Sequence, residues 1–266
     1  MMRNSVCYII LMALLGAVSA WPATAQERIE PELAPVEAPM SPLDHDIRNG
    51  IAFRIHLNNF GFGLGAEYRR VLARNTKGIF EFQISGLRDE REQSFQSYWG
   101  YSISPNKYNR VLVFPVLLGV QQRFLGSYLS DNFRFFVQAS GGIAPAFVYP
   151  YFDHDMFGYG FRLTEIELYD PLQGWGDGSF QMGTTGHISI GANVGGDFGR
   201  IQSIRLGYKF FYYPSGIQVM EPLEPGPGFN VNLPPDMQPE DGLVPAYGKQ
   251  SFFGTPHITF VIGAMW

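Results

Sequence analysis

Ile201-Gln-Ser-Ile-Arg-Leu-Gly-Tyr-Lys-Phe-Phe-Tyr-Tyr213 is the stretch on which the fold turns. Ile204, Leu206, Tyr208, Phe210 and Tyr212 recur at every second position, and Ser203, Arg205, Gly207 and Lys209 take the other parity. In a strand, successive side chains point to opposite faces, so this stretch has one apolar and one polar face. Wound as a helix, the same residues would mix both kinds on every side.

The pattern repeats on both sides of this stretch. In 187–198, Ile188, Ile190, Ala192, Val194 and Phe198 oppose His187, Ser189, Asn193 and Asp197. In 256–266, Ile258, Phe260, Ile262, Ala264 and Trp266 oppose His257 and Thr259. Earlier, 51–58 sets Ile51, Phe53, Ile55 and Leu57 against Arg54 and His56, and 60–71 sets Phe62, Leu64 and Tyr68 against Glu67 and Arg69. Run 79–87 opposes Phe80, Phe82 and Ile84 to Glu81 and Gln83. Runs 110–124 and 133–149 are more apolar, yet keep Gln121, Arg123, Arg134, Gln138 and Ser140 on one parity.

That makes eight strands. After the first hairpin at Asn58-Asn59, short turns (73–78, 126–132, 199–200) alternate with long connections (88–109, 150–186, 214–255). Short turns at one end and long loops at the other, with both termini on the short-turn side, predict a closed antiparallel up-and-down β-barrel of eight strands. Two features predict that it spans a membrane, with the apolar face outward. The minority face is rich in glycine, small polar residues and a few charges of mixed sign, which suits the narrow interior of eight strands. Aromatics cluster toward strand ends (Tyr68, Tyr149, Phe198, Tyr212, Trp266), where a transmembrane barrel carries its interfacial girdles. A soluble lipocalin-like barrel is the alternative from alternation alone.

The N-terminus reads as an export signal. Arg3 precedes an apolar run from Val6 to Val18, and Ala23-Thr24-Ala25 follows, the order of a cleavable signal peptide at 1–25. The run is far short of the ~20 residues a spanning helix needs. Cleavage before Gln26 removes Arg3 and the only cysteine, Cys7, and moves the formal charge from −5 to −6. A cysteine-free acidic chain excludes a disulfide scaffold and a thiolate metal site, and speaks against nucleic acid as a partner. Residues 26–49, with Pro31, Pro35, Pro39 and Pro42 among several acids, read as a flexible periplasmic lead, and 50–266 as the barrel.

The last strand, His257-Ile-Thr-Phe-Val-Ile-Gly-Ala-Met-Trp266, resembles the C-terminal strand of bacterial outer-membrane β-barrels, which end on an aromatic. Phe114-Pro-Val-Leu-Leu-Gly-Val-Gln-Gln-Arg-Phe124 and Phe133-Arg-Phe-Phe-Val-Gln-Ala-Ser-Gly-Gly142 are similar to successive strands of the OmpA-like, Bacteroidetes-type outer-membrane β-barrel family. The resemblance covers roughly residues 50–266. It implies residence in the outer membrane of a Gram-negative bacterium, contact with its lipids, and recognition by the barrel-assembly machinery during insertion. It implies no activity.

Three constellations carry candidate chemistry. His187 and Ser189, two apart on one strand, resemble the pair of outer-membrane lipid A deacylases, in which imidazole deprotonates the hydroxyl. Ile190 stands where that pattern has Asn, no acidic partner follows, and parity places the pair inside the barrel. Arg54, Glu67, Arg69, Glu81, Arg123, Arg134, Asp197, Arg205 and Lys209 are expected to line the lumen, as a structural ion-pair network or a narrow polar pore. Asp153, Asp155 and the acids from Asp170 to Asp177 offer oxygens to calcium, but in no recognised spacing, so no metal or cofactor is expected. The connections 150–186 and 214–255 carry −5 and −4 with many aromatics among the acids. They are expected to form an acidic, partly ordered external cap open to an extracellular ligand, with 222–245 as its protease-sensitive stretch. The expected role is structural or surface-interacting; the alternatives are a lipid-modifying enzyme and a small porin.

Overall fold

The computed structural model describes residues 40–96, 102–124, 132–152, 172–233, 237–239 and 241–266. The signal peptide, most of the expected lead, and the acids and aromatics of 153–171 lie outside these residues.

Among the described residues, eight strands make the barrel wall: β1 (Asn49–Asn58), β2 (Gly61–Ala73), β3 (Thr76–Leu87), β4 (Asn109–Val113 continuing as Val116–Arg123), β5 (Phe133–Ile143 continuing as Ala146–Pro150), β6 (Ser179–Gln181 continuing as Thr184–Val194), β7 (Arg200–Ile217) and β8 (Gln250–Met265). Each pairs antiparallel with its sequence neighbours, and β1 pairs with β8, so the sheet closes. From Phe82 the ladder runs through Val116, Ile143, Thr184 and Tyr212 to Phe252. In the other direction it runs through Ala66 and Phe53 to Ile262. The two paths reach β8 ten residues apart, and that stagger with eight strands tilts each by about 40°.

The closed ladder leaves no free edge, which makes it compatible with a lipid surround. Facing follows the alternation. Leu206 is 53% exposed, Ile188 63% and Ile262 68%, whereas Arg54, Glu81, Arg205 and Lys209 are fully enclosed. The wall is therefore apolar outside and polar inside. Tyr68, Tyr212 and Trp266 stand outward as expected.

Beyond the alternation, the interior is layered by height. At the long-loop end, the inward positions of β4, β5 and β7 turn apolar: Val111, Val113, Ala144, Ala146, Val148, Phe211 and Tyr213 pack with Ile217, Val219, Met220 and Phe253. Phe60, in the tight turn after β1, folds inward onto Phe211. β4, β5 and β6 interrupt their ladders at one level, at Phe114-Pro115, Ala144-Pro145 and Met182-Gly183. Two of these breaks hold a proline, which has no N–H for a ladder. Cross-strand bonds bridge the gap, from Phe114 N to Pro145 O and from Ala144 N to Gly183 O, both 2.8 Å.

At the opposite end, Ala52, Val71, Ile201, Val261 and Met265 form a smaller apolar layer, with Leu43 and Ile47 packed on it. These two residues belong to an ordered entry segment inside the expected 26–49 lead. Ser41 caps a 3-10 turn, Pro42–His45, with a reciprocal bond from its own N–H to Asp44. Ser at the cap, Pro at the first helical position and an acid three residues on make a local stop that needs no long helix. Pro42 is buried, and His45 lies against Phe198.

The proline-rich stretch 222–245 contains paired backbone at both of its ends. Leu223–Pro225 pairs with Leu243–Pro245 as a short antiparallel arm, and the Gln238 amide ties Asn230 to Leu233 within it.

Candidate functional site

Between the two apolar layers lies a polar waist built from inward positions of β1, β2, β3, β5, β6, β7 and β8. Its two carboxylates, Glu67 and Glu81, are directly opposed across β2 and β3. Two like charges side by side in an apolar surround require cations, and the neighbouring strands supply them. Glu67 accepts from Arg69 and, at 2.8 Å, from Arg205 Nη2. Glu81 pairs with Arg54, accepts from Gln138 and, at 2.8 Å, from Gln83 Nε2. Arg205 Nη1 also stands 3.8 Å from Glu81, so one guanidinium bridges both acids. Lys209 donates to Gln83. Four enclosed cations thus meet two carboxylates. Such a network is costly to break because any member left alone is a buried charge.

Glycine makes the room. A Cβ on Gly63 would stand 2.3 Å from His56 Nε2, and one on Gly207 2.7 Å from Ser189 Cβ and 2.8 Å from His257 Cε1. These positions admit no side chain because the facing imidazoles fill the space. The histidines His56, His187 and His257 sit beside the ion pairs, with His187 and His257 edge-to-face at 5.5 Å.

Six of the nine residues expected to line the lumen meet here: Arg54, Glu67, Arg69, Glu81, Arg205 and Lys209. Arg134 and Arg123 sit lower, at the short-turn mouth. Arg134 lies over the Phe198 ring at 4.3 Å, and Arg123 donates to Met40 O at 2.8 Å. Asp197 is corrected: it is exposed in the β6–β7 turn, where it faces Arg200 at 3.4 Å and accepts from Gly199 N. Phe198 is corrected with it, being buried rather than part of an outer girdle. Val194 ends β6, and Gly195 adopts φ 97°, so the alternation stops three residues before Asp197. His56, Gln83, Gln138 and His257 belong to the waist although charge alone does not single them out; their shared parity with Arg54, Glu81, Arg134 and Thr259 is the signal.

His187 and Ser189 do not form a dyad. His187 Nε2 stands 3.3 Å from the Gln138 amide and 3.8 Å from Glu81, while Ser189 Oγ has no hydrogen-bond partner. Both are enclosed by the barrel wall, so neither meets a lipid. Among the described residues, no group of three or more His, Cys, Asp or Glu is placed to hold a metal ion.

Above the apolar layer, the loop after β3 is locked by charge. Arg91 donates to Asp89 through Nε at 2.9 Å and Nη2 at 2.6 Å, and its guanidinium lies 4.1 Å over the Tyr247 ring. Burial would raise the Asp89 pKa, but the hydrogen bonds and charge of Arg91 outweigh it and hold the carboxyl below its usual range. Glu92 gathers Lys107 Nζ at 2.7 Å and Ser104 Oγ at 3.2 Å. Tyr151, buried among these groups, receives Ser104 N at its hydroxyl and lies under Arg110. A second, outward cluster joins Phe147, Tyr149, Trp175 and Phe180 at ring separations of 5.0 to 6.1 Å.

No family model matches this chain, and no curated protein does. Among solved structures, the chain is similar to the attachment invasion locus protein Ail of Yersinia pestis at 10% identity and a TM-score of 0.33, covering 83% of this chain and 96% of that one. It is similar to the N-terminal β-barrel domain of Pseudomonas aeruginosa OprF at 9% identity and 0.33, covering 81% and 98%. Neisserial surface protein A stands at 7% identity and 0.32, covering 82% and 94%. Likeness at these levels carries no weight for function; the eight-stranded closed barrel stands on the ladder of this chain.

Proposed function

We propose that this chain is an outer-membrane barrel that does not conduct, and that its role is structural or surface-interacting through the long-loop end. One observation carries this proposal: outward positions of all eight strands hold apolar side chains, many of them exposed, around an interior of ion pairs. In water such a wall would be an aggregation surface of unusual extent; in lipid it is the solvated face. The apolar layer from Phe60 to Phe253 closes the lumen above the waist, which disfavours the channel. His187 and Ser189, enclosed by the wall and not bonded to each other, disfavour the lipid-modifying enzyme.

Fractionation tests the location. The protein is expected with the outer membrane, migrating faster on gels unheated than boiled, and recovery from the soluble periplasm would overturn the proposal. Purified protein in planar bilayers is expected to pass no single-channel current. Protease applied to intact cells is expected to cut between Gly226 and Gly242, beyond the paired arm, and to spare the turns at 74–75 and 195–199. Cleavage at those turns from outside would mean the opposite orientation.

A further inference from the structure

On the long-loop side the barrel wall parts between β6 and β7. Their ladder runs from Asn193–Ser203 up to Thr184–Tyr212 and stops there. Both strands go on. The Ser179–Gln181 piece of β6 pairs with Ala146–Val148 of β5, and β7 reaches Ile217, paired with Gln250 of β8. Among the described residues, no ladder joins these two extensions.

An open groove runs into this parting. Asp177, Ser179 and Gln181 line it from the β6 side, and Asn109, Gln218 and Lys249 complete its polar lining. Its walls are fixed from behind. On the outer face of the β6 extension, Phe180 packs on Phe147 at 5.0 Å, and Trp175 stands edge-on to Phe147 and Tyr149. Gly178 admits that packing, since a Cβ there would stand 2.3 Å from the Phe147 ring. On the other strands, Asn109 Nδ2 donates to Gln218 O, and Gln218 Nε2 to Met220 O, both at 2.8 Å. The amide oxygens of these two side chains are what they offer to a ligand. Gln181 Oε1 is shielded from solvent and has no hydrogen-bond partner, an acceptor that a ligand's donor would satisfy.

The lining selects the ligand class. It carries one acid and one base, Asp177 and Lys249, so it has no net charge with which to gather a phosphate or a sulfate. Its amides and carboxylate present oxygens to hydroxyl donors, and Lys249 and Ser179 present donors to hydroxyl oxygens. Val148, Pro150 and Tyr108 add apolar surface. A hexose ring has the matching surface, with hydroxyls around its edge and C–H groups across its face. An extended peptide would need a longer strand edge than the three residues of Ser179–Gln181.

We infer that this groove binds a neutral hexose unit of an oligosaccharide, with Asp177, Gln181 and Asn109 accepting from its hydroxyls and Lys249 donating to them. The inference rests on the outward display of the long-loop end proposed above and gives that end a ligand class. The sugar is carried either by a glycolipid beside the barrel or by a free glycan.

The test uses the full folded chain in amine-oxide micelles, free of sugar-based detergents. It is applied to an immobilised panel of neutral oligosaccharides, sulfated oligosaccharides and extended peptides. Retention by at least one neutral hexose oligosaccharide is expected, and calorimetry then measures its affinity. Gln181→Ala and Asp177→Asn are each expected to weaken that affinity about tenfold. Arg200→Gln, exposed at the opposite end of the barrel, is expected to leave it unchanged. Asp177 is exposed, so Asp177→Asn reads the site even where Gln181→Ala fails to fold. The titration is repeated in vesicles with and without a glycolipid bearing the same sugar. Weaker apparent affinity beside the glycolipid assigns the neighbouring lipid as the source, equal affinity assigns a free glycan, and both uphold the site. Retention by no neutral oligosaccharide, preference for the sulfated or peptide ligands, or equal affinity in Gln181→Ala, Asp177→Asn and Arg200→Gln would overturn it. Fractionation reads the membrane location separately, so failure here leaves that proposal standing.

Discussion

The waist and the apolar layer above it share the same strands, and even neighbouring inward positions of one strand, yet they are built on opposite chemistry. On β7, Arg205 and Lys209 serve the ion pairs, and two residues on Phe211 enters the apolar layer. Parity decides whether a side chain points in; height along the strand decides whether the inside is polar or dry. The two regions should fail differently. The waist cannot relax around a missing charge, because Glu81 serves Arg54, Gln83 and Gln138 at once. Glu81→Gln is expected to cost about 3–5 kcal/mol, the range for stranding a buried partner. Urea unfolding from lipid vesicles measures it. A loss below about 1 kcal/mol would mean the network is hydrated and loosely held.

The contrast between inside and outside sets the next effect. Leu206 faces outward near mid-strand, and Leu206→Arg is expected to cost about 2–4 kcal/mol in a bilayer. Gly207 next to it does not serve as the opposite control, because any side chain there strikes the Ile188 carbonyl and the His257 ring. Ser203, inward and small on the same strand, is the better one. Ser203→Ala removes only a 3.4 Å contact to Arg69 and should be nearly silent in the same vesicle titration. The reverse ranking would mean that the wall is inside out.

The apolar layer should respond to volume rather than charge. Ile217, fully buried at the top of β7, is expected to lose about 0.5–1.5 kcal/mol on truncation to Val, with no dependence on salt. This layer is also the part of the barrel least legible in the sequence. Where both faces are apolar, as at 111–114 and 144–149, alternation vanishes and nothing local shows which side is which. The waist was legible because its inward residues are charged and its outward ones are not: Arg54, Glu67, Arg69, Glu81, Arg205 and Lys209 follow from parity alone. Parity misplaces Asp197 because the strand ends at Val194, before Gly195 and Gly196. The entry turn at Ser41 was hidden in proline-rich surroundings, although its cap, proline and acid stand in sequence. What binds which carboxylate depends on strand stagger, which no single run encodes.

The rim above the apolar layer holds a third kind of ion pair, neither enclosed like the waist nor absent like the layer. Asp89 is buried, but its partner Arg91 is nearly half exposed, so solvent screens the pair and its contribution stays below about 1 kcal/mol. Its sign is still defined. The folded state holds the Asp89 carboxyl below its ordinary value of 3.8. The stabilisation is therefore complete above that value and is lost as pH falls through the lower, folded one. Because Arg91 also lies on Tyr247, acidification should loosen the loop after β3 and the loop before β8 together while the waist stays intact. Hydrogen exchange in residues 88–96 and 244–249 is expected to quicken below about pH 4 in the wild type. In Asp89→Asn it should be fast and flat with pH. Exchange that is pH-independent in both proteins would mean that the Arg91–Tyr247 contact holds the rim without the carboxylate.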